Sequence, residues 1–249
     1  MHDVIVIERE TRGDVVVLRM AHGKVNALDL EMLRALIAAL AELAADCRPV
    51  VLTGRGTTFS AGVDLRRIVD EPAPYVHRFL DALSAAFRSL FGYPGPAVAA
   101  LNGHAIAGGY VLAAACDHRV AAEGSARFGL SELAVGVPFP IAAIEIVRDA
   151  VGTARAHRLA LSAELLDTSA ALNAGLLDEV TPADTLLDTA IAHAATRAER
   201  GREAYRLTKR QLRRPAIERI ERAGDEPVDL MWAQPAALDR IRQFLANLA

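Results

Sequence analysis

The sequence predicts an α/β fold that ends in a purely helical region. Over the first half of the chain, short β-branched runs alternate with runs of helical period. The second half is almost entirely helical in pattern, and neither an internal repeat nor a low-complexity linker divides the two. Alternating strands and helices suit a sheet covered by helices. A helical end with few strands to cover is expected to serve as a packing or oligomerisation layer. The 249 residues, 52% hydrophobic, suffice for one large core or a core with a small appendage.

Val4–Glu8 and Val15–Met20 read as a hairpin around Arg12-Gly13-Asp14. Asp29 is an expected N-cap, and Leu33, Leu36, Ile37, Leu40 and Leu43 keep helical spacing to about Ala45. Val50–Thr53 is a short buried strand ended by Gly54-Arg55-Gly56, and a loop carries Phe59–Leu65. Pro72 and Pro74 precede a helix expected from Tyr75 to about Phe91. The stretch 97–139 organises the rest: a strand at Ala97–Leu101, a turn at Asn102-Gly103, a buried helix from Gly108 to about Cys116, and a strand at His118–Ala122. Helices follow at Ile141–Ala150, Thr153–Leu161, Ser169–Asn173 and 183–200. From Tyr205 onward the pattern is helical and Arg-rich, with Pro215, Pro227 and Pro235 expected to interrupt it.

Composition narrows the function classes. A net charge of −3, with Lys24 and Lys209 the only lysines, gives no basic footprint for nucleic acid or an acidic membrane. The start MHDVIVIERE has no basic segment before an apolar one, and the longest apolar runs are broken by Asn, His, Gly or Pro. A cytoplasmic protein is therefore expected. Cys47 and Cys116 show neither metal spacing nor a disulfide framework. His104 and His118 flank the central helix without ligand spacing and read as packing residues, so no metal is expected.

Two features of the central stretch suit enzyme chemistry. Gly108-Gly109 at a helix start leaves N–H groups unpaired at the positive end of the helix dipole. Glu132 lies in the apolar segment LSELAVGVPF and is expected to be partly buried. An oxyanion-stabilising helix start and a carboxylate base suffice to remove a proton beside a carbonyl. Simpler readings stand beside these: Glu132 as a dipole-favoured helix-start residue, the glycines as a close-packing device, and Asp64 as a cap for Leu65–Val69. Ser131 lacks the second glycine of a nucleophile elbow, and Gly54–Thr58 lacks the Gly-Lys pair of a phosphate loop.

Five stretches taken in order resemble the crotonase, or enoyl-CoA hydratase/isomerase, superfamily: Val25–Leu28, Phe59–Leu65, Asn102–Gly109, Cys116–Arg119 and Phe128–Glu132. The resemblance implies a crotonase-like spiral of ββα units. It implies an acyl-CoA-binding catalytic core over 1–200 and a helical trimerisation region over 201–249, with a homotrimer or dimer of trimers as the assembly. The substrate would be an acyl-CoA thioester, with no separate cofactor, since coenzyme A is part of the substrate. The thioester oxygen would rest on the backbone N–H groups of Val63 and Gly108. Ala61 would meet the adenine, and Ala27 would lie along the CoA chain. Asp64, Leu65, Gly109 and Val111 would border the substrate, and Arg66 or Arg67, and more weakly Lys209, would neutralise CoA phosphate.

Glu132 matches one of the two glutamates of the hydratases in that superfamily, and Val111 stands where the other would be. Hydration benefits from two acid/base groups, whereas one carboxylate can carry a proton between two carbons of the same chain. The pattern is most similar to the 3,2-enoyl-CoA isomerases. Alternatives are a hydratase, another single-carboxylate member (hydrolase, decarboxylase or C–C lyase), an enzyme for an aromatic or alicyclic CoA ester, and a non-catalytic acyl-CoA-binding subunit. Pro138-Phe139-Pro140 departs from the Gly-rich run of many relatives and leaves the acyl-pocket wall open.

Overall fold

The computed structural model describes residues 6–247. The chain runs β1 (Ile7–Arg12), β2 (Val15–Met20), α1 (Leu30–Ala44), β3 (Val50–Gly54), β4 (Thr58–Ser60), α2 (Leu65–Asp70), α3 (Ala73–Phe91), β5 (Ala97–Leu101), β6 (His104–Ile106), α4 (Gly108–Ala115), β7 (His118–Ala122), β8 (Phe128–Gly129) and α5 (Glu132–Val135). It continues with α6 (Ile141–Val151), α7 (Thr153–Ser162), β9 (Leu165–Leu166), α8 (Thr168–Asn173), β10 (Glu179–Thr181), α9 (Leu186–Ala198), α10 (Arg202–Arg222), α11 (Glu226–Trp232) and α12 (Pro235–Asn247).

The strands form two sheets. The larger has the order β1-β2-β3-β5-β7-β10 and is parallel apart from the β1–β2 hairpin. Its inner strands are buried on both faces, which explains their near-continuous apolar sequences. Val15, Val17, Val51, Val98, Ala100 and Val120 meet Leu186, Ala190 and Ala194 of α9. The alternate residues Val16, Leu18, Met20, Val50, Leu52, Ala99 and Leu101 point into the main core with α1 and α3. The smaller sheet, β4-β6-β8-β9, is built from strands of two or three residues. This arrangement is the α/β core with a helical C-terminal region that the sequence predicts.

Three expectations need correction. The hairpin sits further along the chain: β1 pairs from Ile7↔Met20 to Arg12↔Val15, so Gly13-Asp14 alone makes the turn, with Gly13 at φ +60°. The expected strand residues before Val6 lie outside the described residues. Phe59 and Ser60 lie in β4, not in a loop. Pro215 does not interrupt the C-terminal region; α10 runs through it. Anchors on either side hold that helix: Lys209 and Arg213 pair with Asp117, and Arg219 with Glu145. Pro227 and Pro235 do fall in the first turns of new helices, where a missing N–H costs nothing.

Candidate active site

Strands β4, β6 and β8 lie side by side and parallel, in the registers Ser60↔Ala105 and Ala105↔Phe128. Each ends at one part of the expected site. Ala61-Gly62-Val63 follows β4, Ala107-Gly108 follows β6, and Leu130-Ser131-Glu132 follows β8. Neighbouring strands are about 4.8 Å apart, so all three segments emerge within roughly 10 Å.

The Val63 segment is built by an exchange with Leu28. Leu28 N–H donates to Gly62 O (2.8 Å) and accepts, through its carbonyl, from Asp64 N–H (2.9 Å). In a parallel bridge of this kind the intervening residue, Val63, turns its own N–H the other way. Asn26, at φ +50°, supplies the fastening: its Nδ2 donates to Thr58 O (2.7 Å), and its carbonyl accepts from Ser60 Oγ (2.8 Å). Ser60 Oγ in turn accepts from Gly62 N–H (3.2 Å). Gly62 has φ +85°, and a Cβ there would fall 2.9 Å from Ile106 O and 3.2 Å from Gly108 N. The Val63 loop and the α4 start are therefore in direct backbone contact.

At that start Ala107 is the N-cap, with φ +53° and ψ −128°, a conformation that disfavours any side chain. It is held by Ala107 N–H donating to Gly129 O (2.8 Å), which ties β8 to α4. No side chain caps α4. Among the described residues, neither Val63 N–H nor Gly108 N–H donates to a protein acceptor. Gly109 packs on the Ser60 backbone, and a Cβ there would lie inside van der Waals contact of the Ser60 carbonyl. Val111 is fully buried in the main core.

Glu132 is the first residue of α5 and is 8% exposed. Burial pushes its carboxyl up to about 7, against the smaller pull of the Glu132 and Ser131 backbone N–H groups. Its Oε2 is the one carboxyl oxygen among the described residues that is both buried and unpartnered. Other buried acids are committed. Asp29 accepts from Met32 N–H (2.9 Å) and pairs with His22 and Arg67; Glu145 pairs with Arg148 and Arg219. The segment after Glu132 is fastened from the C-terminal helices. Trp232 Nε1 donates to Pro138 O (2.9 Å), and Arg240 lies against Gly136. Helix α12 also packs on α2, placing the C-terminal region beside both the Val63 and the Glu132 segments.

The remaining expected site residues divide. Ala27, Ala61 and Asp64 are half-buried in the same loop pair as Val63, the half-buried Leu65 opens α2, and Arg66 is exposed beside it on that helix. Asp64 caps α2, its side chain accepting from Arg67 N–H (3.2 Å). Arg67 is engaged by Asp29, Glu31 and Glu71.

Lys209 is placed elsewhere. It is buried, donates from Nζ to Gly95 O (2.9 Å) and Asp117 Oδ2 (2.8 Å), and sits at the N-terminal ends of β5 and β7. Burial pushes its ammonium down to about 8 despite the pull of Asp117. A lysine so committed braces α10 against the sheet and is not free to meet a phosphate. Asn26 and Ser60 shape the site without having been singled out in sequence; the signal was an Asn between apolar residues at a loop, which tolerates positive φ.

Unpaired N–H groups at a helix start suit a carbonyl oxygen that gains negative charge, and a neutral-range carboxyl suits proton exchange. A model of the Enoyl-CoA hydratase/isomerase family matches residues 10–237. A putative enoyl-CoA hydratase of Thermus thermophilus is 40% identical over 192 residues, 75% of each chain. Mitochondrial enoyl-CoA delta isomerase 1 of Homo sapiens is 28% identical over 229 residues, 90% of this chain and 76% of that protein. The crystal structure of human mitochondrial delta3-delta2-enoyl-CoA isomerase superposes with a TM-score of 0.92 at 26% identity, covering 98% of both chains. With the match spanning nearly the whole chain, the protein belongs to the enoyl-CoA hydratase/isomerase family of the crotonase superfamily.

Proposed function

We propose that the protein is a 3,2-enoyl-CoA isomerase that works with Glu132 as its single acid/base group. The observation that carries this reading is the pairing of one buried, unpartnered carboxyl at Glu132 with a fully buried valine at position 111. The thioester oxygen of a 3-enoyl-CoA rests on the N–H groups of Val63 and Gly108. Glu132 takes a proton from C2, and the electron pair of that C–H bond spreads through C3 and C4 as a dienolate. The two N–H groups stabilise the oxygen. The protonated Glu132 then delivers the proton to C4, so the double bond moves from C3–C4 to C2–C3 with no change in composition. Losing one such oxyanion donor costs about 10²–10³ in rate, and one positioned acid/base group contributes about 10²–10⁴. Ala27, Ala61, Asp64 and Leu65 line the CoA path, and the exposed Arg66 faces its phosphates.

The similarity to the human isomerase over the full chain supports this reading. The Thermus thermophilus relative's name favours a second one, hydration of a 2-enoyl-CoA. The test is a paired assay of the protein and Glu132→Gln on a medium-chain 3-enoyl-CoA. The isomerase reading expects a conjugated product of unchanged mass, with the rate reduced at least a hundredfold in the variant. A product heavier by one water supports the hydratase, and full activity in the variant removes Glu132 from the chemistry. Exposed leucines at 161, 207 and 212 are consistent with assembly of several copies; sedimentation as a clean monomer would count against a trimer.

A further inference from the structure

Away from the Glu132 site, three side chains from distant parts of the chain converge at the edge of the larger sheet. His118 is the first residue of β7, Glu179 the first of its parallel neighbour β10, and His193 lies on α9, which covers that face. One ligand atom from each of these three side chains lies within 4.8 Å of the other two. Glu179 Oε2 is 2.6 Å from His193 Nε2 and 3.8 Å from His118 Nε2, and the two rings are tilted by 54° with centroids 4.3 Å apart.

We propose that His118, Glu179 and His193 form a binding site for a divalent transition cation of the Zn²⁺ class, a latch that ties β7, β10 and α9 together. Two imidazoles and one carboxylate are a borderline N₂O set with room for a water, which suits Zn²⁺ better than Mg²⁺ or Ca²⁺. Tetrahedral ligands about 2.1 Å from Zn²⁺ stand roughly 3.4 Å from one another. The two separations from Glu179 Oε2, 2.6 and 3.8 Å, bracket that value.

His118 Nε2 is buried and without a hydrogen-bond partner among the described protein groups, an expense that a metal bond removes. Its other nitrogen, Nδ1, faces Asp178 Oδ2 at 3.6 Å, and Asp178 is itself fixed by the Arg119 N–H and guanidinium, both at 2.8 Å. That carboxylate favours the proton on Nδ1 and leaves the Nε2 lone pair free, the usual arrangement behind a metal-bound histidine.

Arg197 faces His193 from the next turn of α9. Its guanidinium lies 3.3 Å from His193 Nδ1 and donates to the His193 carbonyl (3.1 Å). Its donation to Nδ1 places the His193 proton on Nε2, shared with Glu179. Cation entry uses the other tautomer: the single ring proton moves from Nε2 to Nδ1 with none released to solvent, and Arg197 turns away from Nδ1 while keeping its bond to the carbonyl. Glu179 and His193 are about one-third exposed, which leaves a path for the ion. Sequence spacing hides this set, because positions 118, 179 and 193 show no ligand period.

The test uses the full chain after exhaustive chelation. ZnCl₂ titrated into it is expected to bind at one ion per chain and to raise Tm by roughly 5–10 °C at a hundredfold excess over Kd. Co²⁺ is expected to give the visible absorption of a four-coordinate N/O site. His193→Gln and Glu179→Gln, both at partly exposed positions, are expected to weaken binding at least tenfold and abolish the Co²⁺ spectrum. No stoichiometric Zn²⁺ binding by the wild-type chain overturns the proposal. So does equal binding by His193→Gln and the wild type, which would place the ion elsewhere. Loss in both variants with retention in His157→Gln, a histidine on α7 outside the cluster, supports it.

Discussion

Glu132 sits where an ionised carboxylate is costly, so removing its charge should stabilise the fold while removing activity. Its carboxyl is pushed up to about 7 by burial, against an ordinary value of 4.5 for the unfolded chain. Between those values the folded state binds more protons than the unfolded one, so stability falls as pH rises from about 4.5 and levels off above about 7. The size follows from 1.36 kcal/mol per unit of difference: a penalty of about 1 kcal/mol at pH 5 and about 3 kcal/mol at pH 8. Glu132→Gln mimics the protonated form at every pH. Its stability relative to wild type should therefore be about 2–3 kcal/mol more favourable at pH 8 than at pH 5. Taking this double difference removes the constant effect of exchanging a hydroxyl for an amide. The assay is urea unfolding of both proteins at both pH values and one protein concentration, so that any assembly contributes equally. A double difference near zero, or of opposite sign, would refute the claim that burial raises the Glu132 carboxyl.

Three other outcomes are expected. If Glu132 is the base, kcat/KM for a 3-enoyl-CoA should fall about tenfold per pH unit below about pH 7 and flatten above it; a profile flat down to pH 5 would contradict this. Gly109→Ala drives a methyl into the Ser60 backbone, so it should cost about 3 kcal/mol and shift both the Val63 loop and the α4 start; an unchanged melting curve with full activity would contradict that packing. Asp117 accepts from Lys209, Arg213, Tyr205 Oη and Ala97 N–H, so Asp117→Ala leaves two buried cations uncompensated. A loss of about 3–5 kcal/mol is expected, read by urea unfolding; under 1 kcal/mol would show that water replaces the carboxylate.

The long elements were legible because their apolar residues recur with the period of the faces they bury. Asp29 caps α1 as its sequence suggests, accepting from Met32 N–H, and α3 begins at the prolines. The small sheet was not legible. Strands β4, β6, β8 and β9 have two or three residues each, too short for any period to show, yet they align the three segments of the site. The candidate site was partly legible: the helix start at Gly108-Gly109 and the burial of Glu132 follow from residue type and apolar context. What fixes Val63 is a set of backbone and side-chain bonds from Asn26 and Ser60, which spacing along the chain does not reveal. Lys209 misled because a lysine in an Arg-rich helix reads as exposed, whereas its partner Asp117 lies 92 residues away in sequence. Pro215 misled for a similar reason, since the anchors that carry α10 through it come from other elements.

An isomerase working with Glu132 alone moves a proton and adds no water. The most direct test is the mass of the product formed from a medium-chain 3-enoyl-CoA in H₂¹⁸O, recorded with the absorbance of the conjugated thioester. Conjugation at unchanged mass and without ¹⁸O is expected. A product that gains labelled water in step with turnover would contradict it.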